Sequence, residues 1–253
     1  MSRKVLISAL FLSSISFQCT FAERLPVQKS DYRSDLDEGV DFYQSRYNTT
    51  EVGQKITDNR GNGQDDLYGT RNMRTVLKGV LYRGGANNYF HRTTPRNNMN
   101  PLPEDGLQNL CKEGFSSAIY LYSTRFETAS EKSNCDRRFG GTNELKYWNY
   151  LPLEKDQVKE IFAIVHKQIQ HYSGPVYMHC WNGWHASGYA SATSLMQFCG
   201  YSAEKAVAYW DANTDGNNTD AGYERIRQRI RNFQPYPEFQ IPPKIQRQIC
   251  FPD

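Results

Sequence analysis

The chain has 253 residues, with 30 lysines and arginines against 27 aspartates and glutamates, for a formal charge of +3. A charge this close to neutrality argues against bulk binding to nucleic acid or to a membrane surface. Phe, Trp and Tyr make up 13% of the chain, which favours an ordered core over disorder.

The first 22 residues have the order of a secretory signal peptide. Arg3 and Lys4 form a basic start and residues 5–17 are mostly apolar. Thr20 and Ala22 then place small residues at the −3 and −1 positions of a cleavage site. The apolar run is too short to cross a membrane, and no later stretch is long enough. We therefore expect residues 1–22 to be removed and the protein to be secreted or periplasmic. An N-terminal core helix is the alternative.

Five cysteines remain after such a cleavage: Cys111, Cys135, Cys180, Cys199 and Cys250. An exported protein meets an oxidising compartment in which disulfides form, and an odd count leaves one thiol unpaired. Four cysteines allow three pairings, among which the sequence does not choose. We favour Cys111–Cys135 and Cys199–Cys250, which would leave Cys180 free.

Along the chain, residues 23–75 are polar and weakly periodic, and we interpret them as an irregular N-terminal extension with a short helix near 39–47. Residues 76–233 are expected to form one domain, and the proline-rich tail 234–253 is expected to lie extended over the surface. Within the domain the patterns predict strands at 76–82 (a pair or one bent strand), 115–122, 145–151 and 175–178, helices at 103–113, 156–171, 187–198, 203–210 and 222–233, and a polar loop at 126–143. Strands that alternate with helices predict an α/β fold with a mostly parallel central sheet flanked by helices.

The strand at 175–178 runs into His179 and Cys180, and then through a loop into a helix. In that arrangement successive backbone N–H groups and the positive end of the helix create a nest for a tetrahedral anion. A cysteine at the start of the nest is stabilised as thiolate and can attack a bound phosphate in line. Gly183 permits the tight turn, and Ser187 lies where a hydroxyl can donate to the thiolate.

This segment resembles the signature of the cysteine-dependent protein-tyrosine and dual-specificity phosphatases, which is His-Cys, five residues, Arg, then Ser or Thr. His179, Cys180, Gly183 and Ser187 stand at matching places. Residues 81–85 (LYRGG) are similar to the Tyr-Arg-Ser-Gly stretch of the bacterial and fungal dual-specificity-like members. Two further segments also match the family. The first is Gly114 followed by a buried strand that ends in Arg125, and the second is residues 151–153 (LPL) before a helix. The resemblance covers about residues 76–200 and implies a phosphotyrosine-phosphatase-like fold with no cofactor.

The resemblance also implies a role for each loop residue. Cys180 would be the nucleophile, Ser187 would assist release of the thiolate, and His179 would be structural. Phosphate would be bound by the backbone of the loop, which consists of Trp181, Asn182, Gly183, Trp184, His185 and Ala186.

The sequence departs from the family at Ala186, which stands where the family has its arginine. That guanidinium normally grips two phosphate oxygens and stabilises the charge of the transition state. His185, Arg125 and Arg83 are three candidates for a replacement cation. Arg125 is included among the expected phosphate-binding residues.

The general acid is expected near Glu154 or Asp156, with Asp156 preferred by residue type. Either carboxylate could instead interact with the dipole of the helix that follows. The segment from Asp211 to Asp215 matches the first half of a calcium loop, but the twelfth position is Gly222 instead of glutamate, which favours a solvated loop.

Three hypotheses stay open. The first is an exported phosphatase that acts on a phosphorylated small molecule or protein. The second is a catalytically silent pseudophosphatase that binds a phosphorylated or anionic partner, which Ala186 favours. The third is thiol redox chemistry at Cys180, which would need a resolving cysteine that the spacing does not offer.

Overall fold

The computed structural model describes residues 34–252. The predicted signal peptide at 1–22 and the start of the predicted extension lie outside this range. The strands are β1 (Thr70–Leu77), β2 (Leu81–Ala86), β3 (Ser117–Tyr120), β4 (Lys132–Asp136), β5 (Thr142–Asn149) and β6 (Val176–Cys180). The helices are α1 (Ser34–Tyr47), α2 (Glu104–Lys112), α3 (Val158–Gln170), α4 (Ala186–Cys199), α5 (Ala203–Ala212), α6 (Glu224–Asn232) and α7 (Pro243–Ile249).

The six strands form one mixed sheet in the order β1-β2-β6-β3-β5-β4. The four central strands are mutually parallel, and the two edge strands pair antiparallel to their neighbours. This confirms the α/β class and the mostly parallel sheet. Because β6 lies between β2 and β3, the loop that follows it emerges at the centre of the carboxyl edge, where open α/β sheets bind ligands.

Helices cover both faces of the sheet, and the side chains of β3 show how the faces divide. Ile119 belongs to one hydrophobic cluster, with α3, α4, α5 and α6. Ala118 and Tyr120 belong to the other, with α2. Successive residues of a strand point to opposite faces, so a strand buried on both sides becomes almost continuously apolar.

Residues 34–75 are more ordered than the sequence predicts. Helix α1 is longer than expected, and β1 begins at Thr70, inside the predicted irregular extension. The side chain of Glu113 is fully buried and holds α1 to the domain through Arg46 and Tyr47. The sequence signal was weak because polar contacts with distant residues hold this segment in place. It does not carry the regular apolar stripe by which an amphipathic helix is predicted.

Two other segments correct the sequence interpretation. The predicted loop at 126–143 contains β4, whose exposed edge position allows a polar sequence that does not look like a strand. The predicted extended tail contains α7, which begins at Pro243 directly after Pro242, and Ile249 in this helix and Phe251 beyond it are buried. Proline is compatible with the first turn of a helix, so the prolines mark the start of α7 rather than its absence.

Both predicted disulfides are confirmed. Cys111 is bonded to Cys135 and Cys199 to Cys250, with Cα–Cα distances of 6.2 and 5.7 Å. Cys180 is the free cysteine of the described chain and is buried. Among residues 34–252, no helix is long and apolar enough to cross a bilayer.

Candidate active site

The loop between β6 and α4 lies tightly against β2. Gly183 has φ +80°, and a Cβ on it would approach the backbone of Gly84 to 2.7 Å. A Cβ on Gly85 would likewise meet the backbone of Asn182 at 2.5 Å. Both contacts are far closer than a side chain tolerates, so this pair of segments depends on glycine. The backbone N–H of Ala86 donates to the carbonyl of Trp181 at 3.1 Å and fixes the loop's register.

Cys180 is the last residue of β6 and is 2% exposed. Its Sγ lies 3.4 Å from Oγ of Ser187, which is fully buried in the first turn of α4. The thiol therefore lies at the base of a loop that leads into the positive end of a helix. The structure brings these two predicted residues together.

His179 is neutral and has a structural environment. Its pKa is lowered to about 3, because burial penalises the charged imidazole. Tyr147 accepts a hydrogen bond from the backbone N–H of Leu102 and therefore donates its own proton to Nε2 of His179 at 2.7 Å. Nδ1–H then donates to the carbonyl of Cys180 at 3.1 Å. This ring orients the peptide that carries Cys180.

Arg83 holds the loop from beneath instead of entering it. It is fully buried, and its guanidinium donates to the carbonyl of Gly183 at 2.6 Å and to that of Asn213 at 2.7 Å. These bonds join the loop to the segment between α5 and α6. Arg83 therefore does not replace the missing arginine, because its guanidinium already binds two backbone carbonyls.

The segment after α5 holds the second half of the loop. Nε1 of Trp184 donates to Asp215 at 3.2 Å, and Nε2 of His185 donates to the carbonyl of Asn217 at 2.6 Å. Burial lowers the pKa of His185, which opposes the protonated form that a phosphate-binding role would need. Its ring stacks on Tyr223 with centroids 4.2 Å apart.

The two carboxylates of the calcium-like segment are used as ion-pair partners. Asp211 binds Arg227, and Asp215 binds Arg74 and Lys55. Within residues 34–252, no group of three or more His, Cys, Asp or Glu side chains is arranged to hold a metal ion. The segment therefore supports the loop through ion pairs and hydrogen bonds.

Three buried arginines lie near the loop, and the sequence predicted only Arg83 among them as a candidate cation. Arg71, Arg74 and Arg83 are 3%, 7% and 0% exposed. Burial lowers the pKa of Arg71, and a smaller Coulombic effect of Cys180 raises it, so the two side chains are close enough to interact electrostatically. Arg71 and Asn182 share the partner Asn98.

A cavity of about 390 Å³ opens beside the loop at His185. It is lined by Tyr122, Leu153, Glu154, His185, Tyr223, Arg225, Ile226 and Arg229. Of the two candidate acids, only Glu154 is part of this lining. Asp156 is exposed, has a left-handed φ of 58°, and lies outside it.

The remaining predicted residues lie around the loop. Trp181 packs on Tyr122, with ring centroids 4.4 Å apart, and its Nε1 donates to the hydroxyl of Tyr120 at 2.8 Å. Arg125 is exposed, and the one hydrogen bond that its side chain makes in the described chain goes to Asn100 at 3.3 Å. Ala186 is fully buried at the start of α4. The described loop itself thus contains no cationic side chain.

No protein-family model matches the chain, and no curated protein matches it. Several solved structures are similar to the chain, among them the following three. Tk-PTP in its active form is 14% identical, with 63% of this chain and 98% of that chain covered and a TM-score of 0.40. TpbA of P. aeruginosa is 15% identical over 61% and 81%, with a TM-score of 0.37. Human DUSP28 is 12% identical over 60% and 88%, with a TM-score of 0.36.

The role of Arg83 predicts a loss of stability when the guanidinium is removed. We expect Arg83→Met to lower the free energy of unfolding by about 2–3 kcal/mol, because two buried carbonyls lose their donor. Urea denaturation of the mature protein measures the change. Arg247→Met is the matched control, since Arg247 is exposed on α7, and it should shift stability by no more than about 0.5 kcal/mol. Equal stability of the two variants would show that Arg83 does not stabilise the loop.

The buried neutral state of His179 predicts a pH dependence of stability. The unfolded histidine binds a proton as the pH falls through about 6.5, whereas the folded one stays neutral down to about 3. Its contribution is therefore complete above pH 6.5 and is lost as the pH falls from there towards 3. Between pH 7.5 and 5 the loss amounts to about 2 kcal/mol.

The measurement compares the unfolding free energy of wild type and His179→Gln at both pH values. The variant should lose about 2 kcal/mol less than wild type over this interval, whatever its absolute stability. The other histidines and carboxylates are common to both proteins. An identical pH dependence would show that His179 does not stay neutral in the folded state.

Proposed function

We propose that this chain is an exported, cysteine-dependent, dual-specificity-like phosphatase that hydrolyses phosphate monoesters through a cysteinyl-phosphate intermediate. The observation that carries the proposal is the pairing of Cys180 with Ser187 at 3.4 Å, across a loop that joins a central strand to a helix N-terminus. Phosphate binding alone needs neither a buried thiol nor a hydroxyl beside it. Its substrate would be a phosphorylated small molecule or protein.

In the first step, Sγ of Cys180 attacks phosphorus as the bond to the ester oxygen breaks. The leaving oxygen takes a proton from the carboxyl of Glu154, which lines the adjoining cavity. In the second step, that carboxylate takes a proton from water, the water oxygen bonds to phosphorus, and the S–P bond breaks. Ser187 donates a hydrogen bond to the departing thiolate. Inorganic phosphate and the free thiolate are regenerated.

The charge that Ala186 does not supply is provided from three other sources in this proposal. The backbone N–H groups of the loop and the N-terminus of α4 face the anion. Buried arginines behind the loop, among them Arg71, add positive potential. The absence of an arginine that binds two phosphate oxygens still lowers the rate by about two orders of magnitude or more, so we expect a slow enzyme.

Export is part of the proposal. The basic, apolar and small-residue order of residues 1–22 supports it. The two disulfides fit an oxidising compartment, because such bonds are rare in the cytosol.

A pseudophosphatase is the second candidate, and a specific observation favours it. Ala186 is buried where the family has arginine, while Arg83 and His185 already donate to backbone carbonyls. Such a protein would bind a phosphorylated or anionic partner and leave it intact.

Hydrolysis of an aryl phosphate separates the two candidates. We expect slow turnover by the mature wild type, none by Cys180→Ser, and a phosphorylated cysteine peptide in acid-quenched wild type by mass spectrometry. Ala186→Arg should accelerate turnover. Activity that survives in Cys180→Ser would rule out the thiol mechanism. A silent wild type whose activity appears only in Ala186→Arg would establish the pseudophosphatase.

We assign the general acid to Glu154 rather than to Asp156, because only Glu154 lines the cavity. Glu154→Gln should lower kcat on alkyl phosphates about a hundredfold, because a poor leaving group needs the proton. Asp156→Asn is the matched control, since asparagine also accepts a left-handed φ, and it should retain full kcat. The reverse order of effects would assign the acid to Asp156.

A further inference from the structure

The cavity beside the loop has a cationic wall made by one side of α6. Arg225 and Arg229 are four residues apart, so they project from the same side of the helix, and both line the cavity. Glu154 is the only carboxylate in that lining. If Glu154 is protonated to act as the acid, the lining carries two positive charges and no negative one.

The arginines of α6 fall into two groups, according to whether their side chains form ion pairs. Arg227 binds Asp211, and Arg231 binds Glu224 at 2.6 Å. The side chain of Arg225, in contrast, makes no ion pair or hydrogen bond within residues 34–252. The side chain of Arg229 makes one hydrogen bond there, from Nη1 to the carbonyl of Pro152 at 3.3 Å. The arginines that face away from the cavity are thus neutralised by carboxylates, and those that face it are not.

The cavity is continuous with the catalytic loop. His185 belongs to both, and its ring stacks on Tyr223, which directly precedes α6. Tyr122, which also lines the cavity, packs against Trp181 of the loop. A group bound between the two tyrosines would therefore lie next to a phosphate held over Cys180, with the guanidinium groups of α6 beside it.

We propose that Arg225 and Arg229 form a second anion subsite, so that the preferred substrates are phosphate monoesters that carry another anionic group close to the scissile phosphate. The second group is a carboxylate or a further phosphate. This inference rests on the proposed phosphatase function of Cys180. Arginine suits the role, because its planar fork binds carboxylate and phosphate oxygens in pairs.

The test compares phenyl phosphate with 3-carboxyphenyl and 4-carboxyphenyl phosphate, with release of inorganic phosphate as the readout. Wild type should prefer at least one carboxylated ester by about tenfold or more in kcat/KM, the effect of one charge-assisted hydrogen bond. The double variant Arg225→Gln/Arg229→Gln should lose this preference. Its kcat/KM for phenyl phosphate should stay within about threefold of wild type.

The double variant Arg231→Gln/Arg247→Gln is the matched control, because it removes the same charge from exposed positions outside the cavity. It should keep the preference. The single variants Arg225→Lys and Arg229→Lys should retain part of the preference, because lysine keeps the positive charge. Equal kcat/KM for the three esters, with no effect of the cavity variants, would overturn the subsite and leave the phosphatase assignment intact.

A wild type that hydrolyses none of the esters would instead overturn the proposed activity. The subsite is then tested by calorimetric titration with phenylphosphonate and its 3- and 4-carboxy derivatives, which are not hydrolysed. Tighter binding of a carboxylated phosphonate, lost in the cavity variant and kept in the control variant, would support the subsite. Indistinguishable dissociation constants for all three would exclude it.

Discussion

The candidate site depends on one buried interaction, the pair of hydrogen bonds from Arg83 to the carbonyls of Gly183 and Asn213. A loop that directs its N–H groups towards an anion must turn carbonyls the other way, and buried carbonyls need donors. Arg83 supplies two of them from a central strand. It thereby fixes the loop and the segment after α5 as one unit, on which Trp184 and His185 are held.

This arrangement distributes positive charge differently from a loop that carries its own arginine. Arg71, Arg74 and Arg83 are buried near the loop, and Arg225 and Arg229 line the adjoining cavity. Arg74 already binds Asp215 and Arg83 already binds two backbone carbonyls, so these two side chains do not hold the oxygens of a phosphate. The proposed compensation therefore favours anion binding over transition-state stabilisation, which is consistent with a slow enzyme and with a preference for multiply charged esters.

The two disulfides stabilise segments that the sheet alone does not secure. Cys135 lies in the edge strand β4, and its bond to Cys111 attaches that strand to α2. Cys250 follows α7, and its bond to Cys199 attaches the C-terminal helix to the end of α4. Cys180 lies apart from both pairs and keeps its thiol, because it is buried at the base of the loop.

The sequence by itself determined the α/β class, the central strands and helices, an odd cysteine count that leaves one thiol unpaired, and the juxtaposition of Cys180 with Ser187. These features follow from local rules: apolar periodicity, cysteine number, and a strand–loop–helix spacing of seven residues. Only the tertiary structure decided the rest. It selected the two disulfide pairs among three possible pairings, placed Glu154 rather than Asp156 at the cavity, and committed Arg83 and His185 to carbonyls. Polar side chains carry no periodic signal, and their partners lie far away along the chain, 130 residues apart for Arg83 and Asn213, so only the folded chain specifies which charges are paired.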